Sequence, residues 1–427
     1  MLRKLILEGV GPAKRLEAEF AERLNLITGD NGLGKSFILE VAWWALTRTW
    51  SGASGQAMPR ADARRAVMHT SVLGKGKKTV DLKIPFKFEE QNWARARGRP
   101  TLPGLVIYAQ VDGGFSVWDP ARNYWSEQDG THPSAFIFDS DQVWTGLEED
   151  GQWRCNGLYR DWASWQRENN ESFAQLRLAM EALSPPNELL RPGGLTRISA
   201  SDSQDYPTVH MPYGVDVPLI HASAAIRRIL ALAYLLIWTW QEHLRAAAQR
   251  REKPTHRIIF LIDEIEAHLH PAWQRRILPC LLKVVEAMKT ASRTPSIQVI
   301  ATTHSPLVCV SLEPLFDDGL DRLFDLDLDP AKNVQLEAVD FVKHGTSEGW
   351  LLSRSFDLKS SYSEDAEAAI DAAGKLVQTE IERPGSVKKP EFLEHDEKLR
   401  ALLTDIDPFW VRWRRIGEKK GWLNRSR

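Results

Sequence analysis

A chain of 427 residues exceeds the usual size of one compact domain, and its 43% hydrophobic and 26% charged residues are ordinary for a folded protein. With 55 basic against 57 acidic side chains, net −2, it is not a polycation that coats nucleic acid by bulk charge. Three cysteines, Cys155, Cys280 and Cys309, lie far apart without metal-type spacing, which argues against a disulfide framework or a zinc site and suits a reducing cytosol.

The opening MLRKLILEGVGP has too short an apolar run for a signal peptide, and the longest apolar run, residues 229–238, is about half a membrane span. A cytoplasmic protein without membrane contact is expected. Residues 2–7 and 24–28 read as strands, and the second leads into GDNGLGKS and an apolar helical run, 37–46. Gly29, Gly32 and Gly34, with Asn31 between them and Lys35 and Ser36 after, fit the G-x-x-x-x-G-K-[ST] phosphate loop. Glycines let backbone N–H groups turn towards phosphates, and the following helix offers its positive dipole end. Lys35 supplies charge to the β- and γ-phosphates of ATP, and the Ser36 hydroxyl reaches Mg²⁺.

Residues 79–118 turn to short alternating segments, read as antiparallel strands decorating the core. Residues 158–183 read as helical, ending at Pro185-Pro186, and 191–218 as a polar loop. Next comes the strongest helix, with Ile226, Ile229, Leu230, Ala233, Leu236, Ile237 and Trp240 on one apolar face. Ser223 opens it: a plain reading makes this serine an N-cap, a functional one points it at a γ-phosphate.

Two runs suit buried parallel strands, 258–262 and 297–301. The first delivers Asp263 and Glu264 to a strand's carboxyl end, the usual ligand edge of such sheets. Asp263 would hold Mg²⁺ and Glu264 would take a proton from the attacking water. The bland alternative is an acidic pair capping the next helix. The second run ends in TTHSP, so His304 reaches the same edge and can face the γ-phosphate or the water. Residues 322–328 and 334–339 read as late strands; the DLDLD within them alternates as a half-exposed strand does, so no nuclease cluster is assigned. His268 and His270 are read as packing or capping groups. Beyond about residue 346 the chain is helical and polar, broken by Pro384 and Pro390. Its end carries seven Lys or Arg from Arg412 onward, interleaved with Trp410, Trp413 and Trp422, a pattern that suits nucleic acid or, more simply, a partner protein or solvent.

The order of LNLITGDNGLGKS, HASAAIRRILALAYLL, FLIDEIEAHLHP and VIATTHSP resembles ABC-type ATPase heads of the SMC-like, RecF-like and OLD-family branch. The phrases DEIEAHLHP and TTHSP look like the AAA-type head ATPases of OLD and Septu-type bacterial defence systems. The resemblance implies a P-loop α/β fold with a mostly parallel central sheet, an antiparallel β lobe near 75–120, and a helical lobe near 150–250. An ATPase head would span 1–345, and a C-terminal helical extension, 346–427, would dock a partner.

It also implies ATP and Mg²⁺ as cofactors and a homodimer, or higher oligomer, with ATP sandwiched between heads and Ser223 facing the partner's phosphate loop. A nuclease effector would be gated by hydrolysis in anti-phage defence. DNA is a further candidate contact, near Lys75, Lys77, Lys78, Arg95, Arg97 and Arg99. A RecF-like DNA-repair ATPase and a non-hydrolysing ATP-locked scaffold stay open as alternatives. Where the family has two glycines after the signature serine this chain has Ala224 and Ala225, which puts the trans contact in question. The family's glutamine is assigned to Gln110, with Gln142 and Gln166 as rivals.

Overall fold

The structure, a computed structural model, describes residues 1–52, 57–74, 78–94, 102–123, 135–288 and 295–423. The chain folds as two compact units, Met1–Trp350 and Leu351–Arg427.

The first unit begins with β1 (Leu2–Glu8), β2 (Arg15–Glu19), β3 (Leu24–Gly29) and α1 (Lys35–Thr47). There follow β4 (Val67–Leu73), β5 (Thr79–Lys87), β6 (Asn92–Trp93), β7 (Leu105–Ala109), β8 (Phe115–Trp118) and β9 (Phe136–Phe138). Next come the short α2 (Gln142–Thr145), the hairpin β10 (Leu147–Glu149) and β11 (Gln152–Cys155), then α3 (Gly157–Glu168) and α4 (Glu171–Leu183). A small sheet of β12 (Arg191–Thr196), β13 (Tyr206–His210) and β14 (Asp216–Pro218) precedes the long α5 (Ala224–Gln249). The unit continues through β15 (Arg257–Ile262), α6 (Pro271–Val284), β16 (Ser296–Thr302), α7 (Pro306–Leu312), β17 (Asp321–Leu328), β18 (Val334–Val339) and α8 (Ser347–Leu351).

Eight strands form the central sheet in the order β18-β17-β3-β16-β15-β7-β8-β9. The five from β17 to β7 run parallel, while β18 on one side and β8 and β9 on the other are antiparallel. Parallel strands covered on both faces need continuous apolar sequence, and β15 supplies it: Ile258 to Ile262 are all buried. Each such side chain contributes about 1.5–3 kcal/mol on leaving water. A second sheet, β2-β1-β4-β5-β6, is wholly antiparallel. Gln298 on β16 joins the two sheets. Its amide accepts from Leu2 N–H at 2.9 Å and donates to the carbonyls of Leu2 at 2.8 Å and Ala21 at 2.7 Å.

Three expectations change here. The run LVIYA, read with the antiparallel lobe, is the parallel strand β7, and FSVW is β8 of the same sheet; the antiparallel sheet instead takes in the amino terminus. Five consecutive buried residues in β7 carry the parallel-strand signature, which the flanking glycines and prolines obscured. Residues 191–218 are not a loop but the β12–β14 sheet. The helical run 158–183 is two helices, because Asn169 leaves α3 at φ 46° and Asn170 caps α4 by accepting from Phe173 N–H at 3.0 Å. Helix α5 is also more deeply set than one apolar face requires: every residue from Arg228 to Gln241 is buried.

The second unit holds α9 (Glu364–Glu382), α10 (Lys389–Leu402) and α11 (Phe409–Lys419). Pro390 does not break a helix; it occupies the first turn of α10, where its missing N–H costs nothing. Trp413 is buried, stacked on Phe392 at 4.1 Å with its indole N–H donating to Asp396 at 2.9 Å, and Trp410 is buried beside it. These tryptophans therefore form this unit's core, not a platform for bases. Among the described residues, no helix is long and apolar enough to cross a membrane.

Candidate functional site

The phosphate loop joins β3, buried from Leu24 to Thr28, to α1. Gly29 turns at φ 130°, where a Cβ would stand 2.0 Å from the Leu326 carbonyl oxygen, and Gly34 at φ 107° would meet Pro12 at 2.7 Å. No other residue type fits either position. The α1 N-terminus has no side-chain cap and no acidic residue in its first turn, so its N–H groups are free for an anion. Ser36 is exposed in that turn, as are Asn31 and Gly32 in the loop.

Lys35 curls back into the loop, donating to the carbonyls of Gly29 at 2.8 Å and Asp30 at 2.7 Å. It is only 6% exposed, and burial pushes its ammonium below the ordinary range while Glu264 and then Asp263 pull it back up. A buried cation stabilised only in part by nearby carboxylates suits a polyphosphate.

The chain leaves β15 at Asp263, 2% exposed, whose N–H donates to the carbonyl of Ala109 on β7 at 2.9 Å. Thr302, at the end of β16, donates its hydroxyl to the Asp263 carboxylate at 2.8 Å and accepts from Glu264 N–H at 2.8 Å. Next to it, Thr303 N–H donates to the carbonyl of Ile27 on β3 at 3.1 Å. The three strand ends that carry Lys35, Asp263 and His304 are thus laced together. Glu264 sits at φ 43°, a left-handed conformation that costs a non-glycine residue about 1 kcal/mol or more. His304 Nε2 lies 3.9 Å from Glu264 Oε1, and burial followed by the charge of Lys35 lowers its pKa, keeping the ring neutral at neutral pH.

Gln110 ends β7 at the same edge, its amide donating to the Ser51 hydroxyl at 3.2 Å. The rivals serve elsewhere: Gln142 accepts from Asp139 N–H in its own turn, and Gln166 bridges Trp162 to Gly193. Ser223 is exposed, and its hydroxyl caps α5 by accepting from Ile226 N–H at 3.4 Å. Farther along the helix, buried Arg228 donates to the carbonyls of Gln110 at 2.7 Å and Asp263 at 3.4 Å. His270 caps α6, accepting from Ala272 N–H at 3.3 Å.

Three residues were not singled out by motif. Arg228 lies one turn past the serine, Thr302 reads only as strand end, and Glu266 lies within DEIEAHLHP with no role of its own. The Glu266 carboxylate accepts from the Thr303 hydroxyl at 2.6 Å and from His304 N–H. Within DLDLD, Asp325 is buried rather than half-exposed, accepting from the Thr28 hydroxyl at 3.5 Å; among the described residues no metal-holding group of His, Cys, Asp or Glu forms. Of the basic cluster at 75–99, all but Lys78 lies outside the described residues.

A mostly parallel sheet with this loop, helix and acidic strand end is the arrangement of a P-loop ATPase. Two family models match the chain: one described as "AAA domain, putative AbiEii toxin, Type IV TA system" over residues 99–311, the other as "AAA domain" over residues 4–130. The particular likeness is to proteins named Septu protein PtuA and to probable ATPases of retrons. Septu protein PtuA of Bacillus thuringiensis is 22% identical over 358 residues, 78% of this chain and 80% of that protein. The protein named "Retron Ec83 probable ATPase", from Escherichia coli, is 47% identical over 55 residues, 13% of this chain and 8% of its own length. Among solved structures, an SMC head bound to the C-winged helix domain of ScpA aligns over 79% of this chain and 97% of its own, at 13% identity and a TM-score of 0.42.

Proposed function

We propose that the chain binds ATP with Mg²⁺, pairs head to head with a second copy around the nucleotide, and uses hydrolysis to gate a nuclease partner in anti-phage defence. The observation that carries the chemistry is the convergence of Lys35, Asp263, Glu264 and His304 on one sheet edge. The defence role is supported by the likeness to Septu protein PtuA across most of both chains.

Lys35 releases the loop carbonyls and donates to the β- and γ-phosphates, joined by the N–H groups of the loop and of α1. Ser36 and Asp263 would hold Mg²⁺, which when bound neutralises charge developing on the phosphate oxygens. Glu264 takes the proton of the attacking water, and neutral His304 donates to the γ-phosphate or orients that water. Gln110 lines the same edge. Ser223, exposed at the start of a 26-residue helix, presents its hydroxyl and the helix dipole to the γ-phosphate held by the second copy.

Light scattering tests the pairing. Glu264→Gln with ATP and Mg²⁺ should accumulate a species of twice the monomer mass, whereas Lys35→Ala and Ser223→Arg should stay monomeric. Dimers that form equally well without nucleotide, or with Ser223→Arg, would overturn the sandwich. Phosphate release by the wild type separates this reading from an ATP-locked scaffold.

A further inference from the structure

Asp263, Glu264 and Glu266 bring three carboxylates to one strand end, and the reading above uses two of them. Glu266 does not point to solvent as a spare helix-capping acid would. Its Oε2 accepts from the Thr303 hydroxyl at 2.6 Å, and its Oε1 accepts from the main-chain N–H of His304. Thr303 itself is fully buried, with its N–H committed to Ile27 on β3 and its hydroxyl also accepting from Ser305 N–H at 3.0 Å. Both oxygens of one side chain therefore grip two successive residues on the neighbouring strand end. Burial raises the Glu266 pKa, and the Glu264 charge adds to that cost. A carboxylate kept there against desolvation and like charge needs a reason beyond filling space.

We propose that Glu266 is a positioning residue for hydrolysis: it clamps the Thr303–His304 segment to the Asp263–Glu264 turn and so sets the His304 ring against Glu264. This rests on the reading of Glu264 and His304 given above. The geometry explains the mechanical need. The ring stands 3.9 Å from the Glu264 carboxylate, and the backbone N–H that Glu266 holds belongs to the same residue as the ring. Losing the clamp frees the segment to shift, and a displacement near 1 Å at a reacting centre costs about 100-fold in rate.

The test is steady-state ATP hydrolysis by the full chain carrying Glu266→Ala, Glu266→Gln, His304→Ala or both alanine changes, with Glu264→Gln alongside. Glu266→Ala should lower kcat by about 100-fold with KM for ATP within about 3-fold. Glu266→Gln keeps the volume, an acceptor for His304 N–H and a donor towards Thr303, and should restore kcat to within about 10-fold of wild type. Because Glu266 acts through His304, the double alanine variant should turn over no more slowly than His304→Ala within about 3-fold. Wild-type kcat in Glu266→Ala, or a further loss of about 10-fold or more in the His304→Ala background, would overturn the assignment. So would a Glu266→Gln variant as slow as the alanine. If Glu264→Gln also turned over normally, the base reading itself would fail, an outcome distinct from failure of Glu266 alone.

Discussion

At Gly29 the phosphate loop passes so close to β17 that a single methyl group would sit 2.0 Å from the Leu326 carbonyl oxygen, at a φ of 130°. Gly29→Ala should therefore cost more than about 2 kcal/mol of stability as well as nucleotide binding, because backbone, not a flexible side-chain tip, must move. Chemical denaturation without ATP measures this directly; an unchanged midpoint would contradict the contact. The candidate site residues stand out in the sequence because the proposed chemistry demands each residue type: glycine for the turn, lysine for phosphate charge, an acidic pair at a buried strand's end. Glu266 and Thr302 do not, because their roles lie in partners 37 or more positions away along the chain. Arg228 is silent in the sequence for the same reason: its partners are the backbone carbonyls of Gln110 and Asp263, just past the ends of β7 and β15.

Among the elements, β16 shows how a single polar residue in a buried strand links two sheets. Gln298 makes three hydrogen bonds to Leu2 and Ala21. Gln298→Leu would strand one buried N–H and weaken two carbonyls, a loss of about 3 kcal/mol at roughly 1 kcal/mol per bond. Thermal unfolding checks it, and hydrogen exchange should show β1 opening sooner; a variant as stable as wild type would contradict the link. Strand identity was legible where apolar runs were uninterrupted, as in β15 and β16. It failed at β7, whose five apolar residues are as buried as those of β15 but sit between glycine-rich turns. It failed again at β12, where Pro192, Gly193 and Gly194 occupy a strand that pairs only through a register shift.

For the whole molecule, the sequence reads as a nucleotide-binding head followed by a polar helical extension, and what it could not supply was the inside of that extension. Trp410 and Trp413 look like a basic, aromatic surface until the helices α9 to α11 pack around them. Near this core the Glu380 carboxylate accepts from Lys420 at 2.6 Å and from the N–H groups of Gly385 and Val387, which hold its pKa to about 2 against an ordinary 4.5. A carboxylate depressed by folding contributes stability that is complete above its unfolded value and is lost as pH falls through its folded one. Glu380→Gln should thus unfold at lower temperature than wild type near pH 7, with the gap closing between pH 4.5 and about 2. A gap that persisted unchanged at pH 2 would contradict the ionic origin. The central claim concerns the head, where the phosphate loop and the acidic strand end serve one triphosphate. Its most direct test is single-turnover phosphate release from ATP by Glu264→Gln. The variant should bind ATP as tightly as wild type and release phosphate at least about 100-fold more slowly; release at the wild-type rate would contradict the account.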